Sequence, residues 1–305
     1  LSQYSLKTIG ITGSNGKTIV KEWLYQSLFD DYKTVKSPKS FNSQIGLPLS
    51  LLQIDKKHEL GIFEVGISKP GEMEKQENVF HPKIGLLTHI GSAHSANFSS
   101  EEELINEKLK LFKQSEIIFF NSDNELTGNL INQLYSSKKL ISYGLKSNND
   151  ITIISDVNDR TQDIKIKYFE EEFSLPINQR DEATLTNVLA LIGILKQFNL
   201  SNLKIEEKID ALKAIEMRLE SIEGIRNNLI INDSYNLDLD SLKIAFQFIG
   251  EYNKPKKSLI LTDILDSNEN SEELYSEVSE LVNEQKFDKV FLIGEEISSF
   301  YKRFE

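Results

Sequence analysis

The sequence predicts an α/β protein. Its first part is a mostly parallel, doubly wound sheet with a small antiparallel β appendage, and a second, Rossmann-like α/β unit follows. Three observations predict this. Short apolar, β-branched runs alternate with amphipathic helical segments through the first ~145 residues, the order that gives parallel strands with helices on both faces. The first run ends in a glycine-bearing turn that opens directly into a helical pattern. Between residues 151 and 177 the periodicity changes, with Ile164, Ile166 and Tyr168 alternating with Lys165 and Lys167 as in a half-buried strand.

Taken in order, the candidate strands of the first part are Thr8–Thr12, Leu60–Val65, Ile84–Thr88, Ile117–Asn121 and Leu140–Tyr143. Helices are expected between most of them, among them Thr18–Phe29 and Glu101–Phe112. After the appendage, helical periodicity returns at Ala183–Phe198 and Ile205–Ala214. A second unit begins near Met217, with strands near Leu229–Ile231, Ser258–Leu261 and Val290–Ile293 and helices near Leu239–Phe248 and Glu272–Asn283. The domains are therefore placed at 1–215 and 216–305. The chain begins with Leu and stops soon after Gly294, inside another βα step. That predicts an excised piece whose second domain is truncated.

Composition bounds the function. The 305 residues carry 35 Lys and Arg against 47 Asp and Glu, a net charge of −12, which argues against a nucleic acid as main partner. No apolar run approaches the ~20 residues of a membrane span, and no leader pattern is present. There are no cysteines, which excludes disulfides, thiolate metal sites and a Cys nucleophile and fits a reducing, cytoplasmic setting.

The turn after the first strand is Gly13-Ser14-Asn15-Gly16-Lys17-Thr18. Strand, glycine turn and helix start aim backbone N–H groups and a helix N-terminus at one spot, which attracts phosphate. Lys17 adds a point charge for the β- and γ-phosphates, and the Thr18 hydroxyl suits Mg²⁺. The usual spacing would put the first glycine at position 11, where Ile11 stands, so this is the tighter GxxGKT. A glycine-rich turn with a surface lysine is the bland alternative. The reading is a phosphate-loop ATPase domain.

Other residues gather at predicted strand ends, where open α/β sheets bind ligands. Glu64 closes the apolar run GIFE, and a buried carboxylate there calls for a partner or a hard cation; the alternative is a loop cap. His94 lies in the loop after Ile84–Thr88, either a satisfied loop residue or a ligand. On the helix opened by Ser100 and Glu103, a capping-box spacing, Leu104, Lys108 and Leu111 share one face, while Lys110 and Lys113 share the other with Asn106 and Glu107. Lys108 thus snorkels, pairs with an acid or loses its charge. Arg218 in MRLE, and Asp233 and Asn236 in NDSYN, sit at the domain junction and after a strand. They face an interdomain cleft or serve as Asx turns and surface ion pairs.

In order along nearly the whole chain, TGSNGKT, SFNSQIGLPLSLL, FEVGISKPGEM, HIGSAHSANF, EKLKLF, ATLTNVLA, MRLE and NDSYN resemble the Mur ligases. Within that family the wording resembles the type that adds D-Ala-D-Ala, and the subgroup fused to a C-terminal alanine racemase. The resemblance implies an ATP-dependent amide ligase of peptidoglycan synthesis. It would join D-Ala-D-Ala to a UDP-N-acetylmuramoyl-tripeptide through an acyl phosphate. It implies that Gly13 to Thr18 hold ATP, that Thr18 and Glu64 share one Mg²⁺, and that Glu64 and His94 serve a second. Lys108 matches the lysine that carries a carbamate beside that metal. Asn187 matches an asparagine near the adenine, Arg218 reaches the phosphates and Asp233 the ribose across the cleft. Asn42 and Ser43 match a segment near the substrate, and Asn236 falls in the site of the incoming amine. The family's N-terminal UDP-binding domain has no counterpart here, so the piece alone is expected to bind nucleotide without ligating. The rival readings are another Mur-type or folylpolyglutamate-synthase-type ligase, or a nucleotide-binding module with no turnover.

Overall fold

A computed structural model describes residues 6–91, 97–252, 254–265 and 270–304. It divides into two compact units, the first running through Ile90 and from Phe98 to Lys213, the second holding the chain from Ala214 onward.

In the first unit the elements follow as β1 (Lys7–Thr12), α1 (Lys17–Leu28), β2 (Thr34–Lys36), α2 (Gly46–Leu51), β3 (Leu60–Glu64), α3 (Glu72–Glu77), β4 (Ile84–Leu87), α4 (Glu101–Leu109), β5 (Ile117–Asn121), α5 (Glu125–Tyr135) and β6 (Lys139–Tyr143). Then come β7 (Ile151–Ile153), β8 (Ile164–Tyr168), β9 (Glu171–Leu175), α6 (Glu182–Gln197) and α7 (Asn202–Asp210). One sheet holds all nine strands in the order β2-β3-β1-β4-β5-β6-β7-β8-β9. The pairs from β2 through β7 are parallel, and β8 and β9 fold back antiparallel. The predicted appendage is thus the sheet's own continuation, joined through the pair Tyr143–Ile151.

Strand β1 lies between β3 and β4, with Ile11 opposite Glu64 and Thr12 opposite Leu87. This register brings three strand ends to one edge. Both sheet faces are covered, as parallel strands require. On one face α1 and α6 pack through Val20, Leu24, Leu28, Leu189 and Ile192 against Ile9, Ile11 and Leu86. Every residue of α6 from Leu185 to Leu195 is buried, which is why its pattern reads as apolar all round. On the other face Leu104, Ile105 and Phe112 pack against Phe63, Leu87 and Phe120.

The helix read as Glu101–Phe112 is α up to Leu109 and then a 3₁₀ turn over Lys110–Phe112. The Ser100 side chain caps it by accepting from the Glu103 N–H, but the Glu103 carboxylate returns to the N–H and hydroxyl of Ser99, not to Ser100.

The second unit contains β10 (Glu220–Glu223), β11 (Leu229–Asn232), α8 (Leu239–Gly250), β12 (Ser258–Thr262), α9 (Ser271–Glu284), β13 (Lys289–Ile293) and α10 (Glu295–Ser299). The β12-α9-β13 crossover is parallel, the expected Rossmann-like step. By contrast β11 pairs antiparallel with β10, a strand that sequence patterning does not reveal because ESIE is mostly exposed and charged. Leu242, Phe246, Leu274, Tyr275 and Val278 form this unit's core. Among the described residues no helix is long and apolar enough to cross a membrane.

Candidate active site

The loop between β1 and α1 is built for close approach. Gly13 and Gly16 hold φ of 147° and 85°, backbone that L side chains rarely adopt. A Cβ on Gly13 would lie 2.0 Å from the Thr88 hydroxyl, and one on Gly16 would lie 2.5 Å from Asn187 Oδ1. The Thr88 hydroxyl donates to the Asn15 carbonyl at 2.7 Å, and the N–H groups of Ser14 and Asn15 donate to the His89 carbonyl, so the loop is pinned to the end of β4. Lys17 Nζ donates to the carbonyls of Gly13 and Ser14 at 2.8 and 2.6 Å. Asn15 Nδ2 is buried with no hydrogen-bond partner among the described residues. A buried donor in a glycine cradle with a lysine over it suits an anionic oxygen ligand.

At the next strand end, the Thr18 hydroxyl donates to Glu64 Oε2 at 3.0 Å. Glu64 is 1% exposed. Its other oxygen accepts from Asn42 Nδ2 at 2.7 Å, and its own N–H donates to the Ser37 hydroxyl at 3.1 Å. Ser40 Oγ lies 3.2 Å from Thr18 Oγ1. Ser43 turns the chain into α2, its hydroxyl accepting from the Gly46 N–H at 3.1 Å. Thr18 and Glu64 offer two hard oxygens side by side, the donor chemistry of a divalent cation such as Mg²⁺. Among the described residues no three His, Asp or Glu cluster as a metal site. His94 lies outside the described residues.

Lys108 is 1% exposed, on the buried face with Leu104 and Leu111, and donates from Nζ to the Gly13 carbonyl at 3.0 Å. It does not snorkel to solvent, and no acid among the described residues forms an ion pair with it. Burial, with the Lys17 ammonium adding to it, pulls its pKa well below the ordinary lysine value. Lys110 lies on the more open side and bonds Glu107 at 2.6 Å. Glu107, on the helix face opposite Lys108, is nonetheless buried. It is 4% exposed, because its other oxygen accepts the Met73 N–H at the start of α3.

Sequence reasoning misses Lys21. This residue is fully buried on α1, with Nζ 3.0 Å from the Ser37 carbonyl, bonded to the Lys39 carbonyl, 3.1 Å from Glu22 and 3.8 Å from Glu64. Burial lowers its pKa, and Glu64 and Glu22 pull it back up. The helix-face argument applied to Lys108 finds it, since Lys21 shares its face with Leu24 and Leu28.

Within the second unit, Arg218 lies between two residues of positive φ, Met217 and Leu219, and its guanidinium sits 3.9 Å from the Tyr235 ring centroid. Asp233 accepts the Leu219 N–H at 3.2 Å. Asn236 is exposed and bonds Asp238 at 3.3 Å, so it does not join them. Burial pushes the Asp233 carboxyl up to about 6, against the Leu219 N–H and Arg218, which act to lower it. A carboxyl raised above its unfolded value binds its proton in the fold first, so this unit loses stability as pH rises from about 4 through 6. Asp233→Asn is therefore expected to raise the melting temperature at pH 7.5 by an amount worth about 3 kcal/mol, at ~1.4 kcal/mol per pKa unit, and to change little at pH 4. Thermal melts at the two pH values check this; equal shifts at both would contradict it.

Residues 11–195 match the Mur ligase middle domain. The chain is 30% identical over 300 residues to the UDP-N-acetylmuramoyl-tripeptide–D-alanyl-D-alanine ligase of Bacillus subtilis (strain 168), covering 96% of this chain and 64% of that protein. Against the Borreliella burgdorferi enzyme of the same name the figures are 31% over 303 residues, 97% and 64%. The chain thus spans slightly less than two thirds of these curated relatives. Among solved structures, MurF from Acinetobacter baumannii superposes with a TM-score of 0.83 at 21% identity, over 98% of this chain and 66% of that one. The Thermotoga maritima MurF ligase in complex with ADP gives 0.79 at 21%, over 100% and 79%. With the middle domain matched across more than half its length, the chain belongs to the Mur ligase family.

Proposed function

We propose that this chain is the nucleotide-binding core of an ATP-dependent ligase that adds D-Ala-D-Ala to a UDP-N-acetylmuramoyl-tripeptide. The observation that carries the proposal is the meeting of the Gly13–Thr18 cradle, the Thr18–Glu64 oxygen pair and buried Lys108 at one sheet edge. The names of the relatives matched over about 96% of the chain support the substrates. The SPKSFNSQIG, MRLE and NDSYN wording supports the subgroup fused to an alanine racemase, and a cytoplasmic setting goes with nucleotide-linked substrates.

In this reading the loop N–H groups beyond those of Ser14 and Asn15, with Asn15 Nδ2 and Lys17, hold the ATP phosphates. They aim the γ-phosphoryl group at the peptide carboxylate, whose oxygen displaces ADP to give an acyl phosphate; the amine of D-Ala-D-Ala then attacks the acyl carbon, and the amide forms as inorganic phosphate leaves and the nitrogen gives up a proton. Lys17 and the loop donors meet charge as it spreads over the transferring phosphoryl group. Mg²⁺, held by Thr18 and Glu64 with His94 and a carbamate on Lys108 toward a second ion, supplies neutralising charge to the phosphates. Asn42 fixes the orientation of the Glu64 carboxylate. The same reading assigns Asn42 and Ser43 to the peptide substrate, Asn187 to the adenine, Arg218 to the phosphates, Asp233 to the ribose and Asn236 to the incoming amine.

The test is calorimetry with a non-hydrolysable ATP analogue, followed, in the full-length enzyme, by phosphate release from ATP measured against a panel of UDP-muramoyl peptides and amines. Mg²⁺-dependent binding is expected, and Lys17→Ala is expected to weaken it about 100-fold or more, the loss of a charged contact to phosphate. Binding unchanged by Lys17→Ala would overturn the phosphate-loop reading. Release with other amino acids but not with D-Ala-D-Ala would overturn the substrate.

A further inference from the structure

We infer that Lys21 is a positioning residue that pre-forms the metal-binding edge by tethering the 37–42 loop to α1. The inference rests on the proposed roles of Thr18 and Glu64. The geometry is a closed set of contacts. Lys21 Nζ donates to two carbonyls of the loop, those of Ser37, at 3.0 Å, and Lys39. That loop then returns three groups to the site: the Ser37 hydroxyl to the Glu64 N–H, Ser40 Oγ to the Thr18 hydroxyl, and Asn42 Nδ2 to Glu64 Oε1. Lys39 holds a left-handed φ of 47°, a conformation that needs outside support in a non-glycine residue.

The ammonium also balances charge. A carboxylate 1% exposed needs a counter-charge, and the Lys21 ammonium stands 3.8 Å from Glu64 Oε2 and 3.1 Å from Glu22. Glu22 in turn bonds Lys36, whose ammonium lies 4.2 Å from the centroid of the Tyr25 ring. Lys21 is therefore fixed from the α1 side while it holds the loop from the other. Its bonds go to the 37–42 loop and to acids, not to the phosphate loop, so it acts through Glu64, Ser40 and Asn42.

The test uses the whole chain with Lys21→Met, which keeps the apolar stem and removes the donors, and Lys21→Gln as a milder second variant. The first readout is tryptic cleavage after Lys39 in the folded protein without ligand. The second is the Mg²⁺ concentration giving half-maximal binding of the ATP analogue, set against analogue affinity without Mg²⁺. Loss of two hydrogen bonds to a charged donor is expected to raise the cleavage rate about tenfold or more in Lys21→Met and less in Lys21→Gln. The Mg²⁺ requirement is expected to rise about tenfold, with metal-free analogue affinity within about threefold of the parent.

A lysine that merely fills the core would lower both affinities together or neither. Such a result, or unchanged protection of Lys39 in both variants, would overturn the inference. If Lys21→Met does not fold, Lys21→Gln decides the same question by the same two readouts. A parent chain that binds no nucleotide sinks the proposed function, while the cleavage readout still decides the tether.

Discussion

Lys108→Ala is expected to lower kcat by about 1,000-fold or more in the turnover-competent enzyme, close to 4 kcal/mol of transition-state stabilisation at ~1.4 kcal/mol per decade. The Lys108 amine is buried, sits 3.0 Å from the Gly13 carbonyl, and is held toward its neutral form by burial and by Lys17. A neutral amine is the species that adds CO₂, losing a proton, and a carbamate on Lys108 would be an anion beside the phosphate loop. Short carboxylic acids such as acetate should restore part of the lost rate to Lys108→Ala by returning the oxygens. NMR under ¹³CO₂ should show a carbamate carbon that this variant lacks. Lys110→Ala should behave differently. It strips the partner from Glu107, which is buried and still bound to the Met73 N–H, so stability falls while kcat stays near the parent's. Near-parental turnover by Lys108→Ala would end the idea.

Glu64→Ala should be the most damaging change to the site before any ligand arrives. It removes the acceptor of Thr18 and Asn42 at 3.0 and 2.7 Å and the counter-charge of Lys21 in one step. Removing one partner of a buried charge pair leaves the other uncompensated, at about 3 kcal/mol or more. For a domain of this size that lowers the melting temperature by about 10 °C. Glu64→Gln keeps the shape and one of the two acceptors but not the charge, so it should recover part of the stability while leaving Mg²⁺-dependent nucleotide binding weak. Melting curves and analogue titrations with and without Mg²⁺ separate the two losses. A Glu64→Gln chain with the parent's Mg²⁺ dependence would remove Glu64 from the metal.

The central sheet is legible in the sequence because its strands are buried on both faces and therefore read as continuous apolar runs; Ile117–Asn121 lies where the pattern puts it. Strand β2 is not, since three residues are too few to display a period, and β10 is not, since its side chains are mostly exposed. The burial of Glu107 is not legible because a helical wheel sees only its own helix, and this carboxylate accepts from a backbone N–H on α3. The burial of Lys21 is legible from the face it shares with Leu24 and Leu28, but its partners are not, since they are backbone carbonyls of a loop. The meeting of Thr18 with Glu64 follows once β1 and β3 are parallel neighbours with Ile11 opposite Glu64, and the loop after β1 carries Thr18 back to that strand end.

The two outermost strands of the nine-stranded sheet have a consequence for how copies of this molecule behave together. An edge strand offers a row of backbone donors and acceptors to any other chain, which is the route to sheet-to-sheet aggregation. At one end β2 is only three residues long, with Lys36 tied to Glu22. At the other, β9 carries Glu171, Glu172 and Ser174 outward, and the first two pair with Lys196 and Lys165 at 2.8 and 2.6 Å. Such exposed pairs contribute about 0–1 kcal/mol to stability each. Their larger effect is that a second molecule docking along β9 would have to strip water from this row of charges, which disfavours strand pairing at that edge.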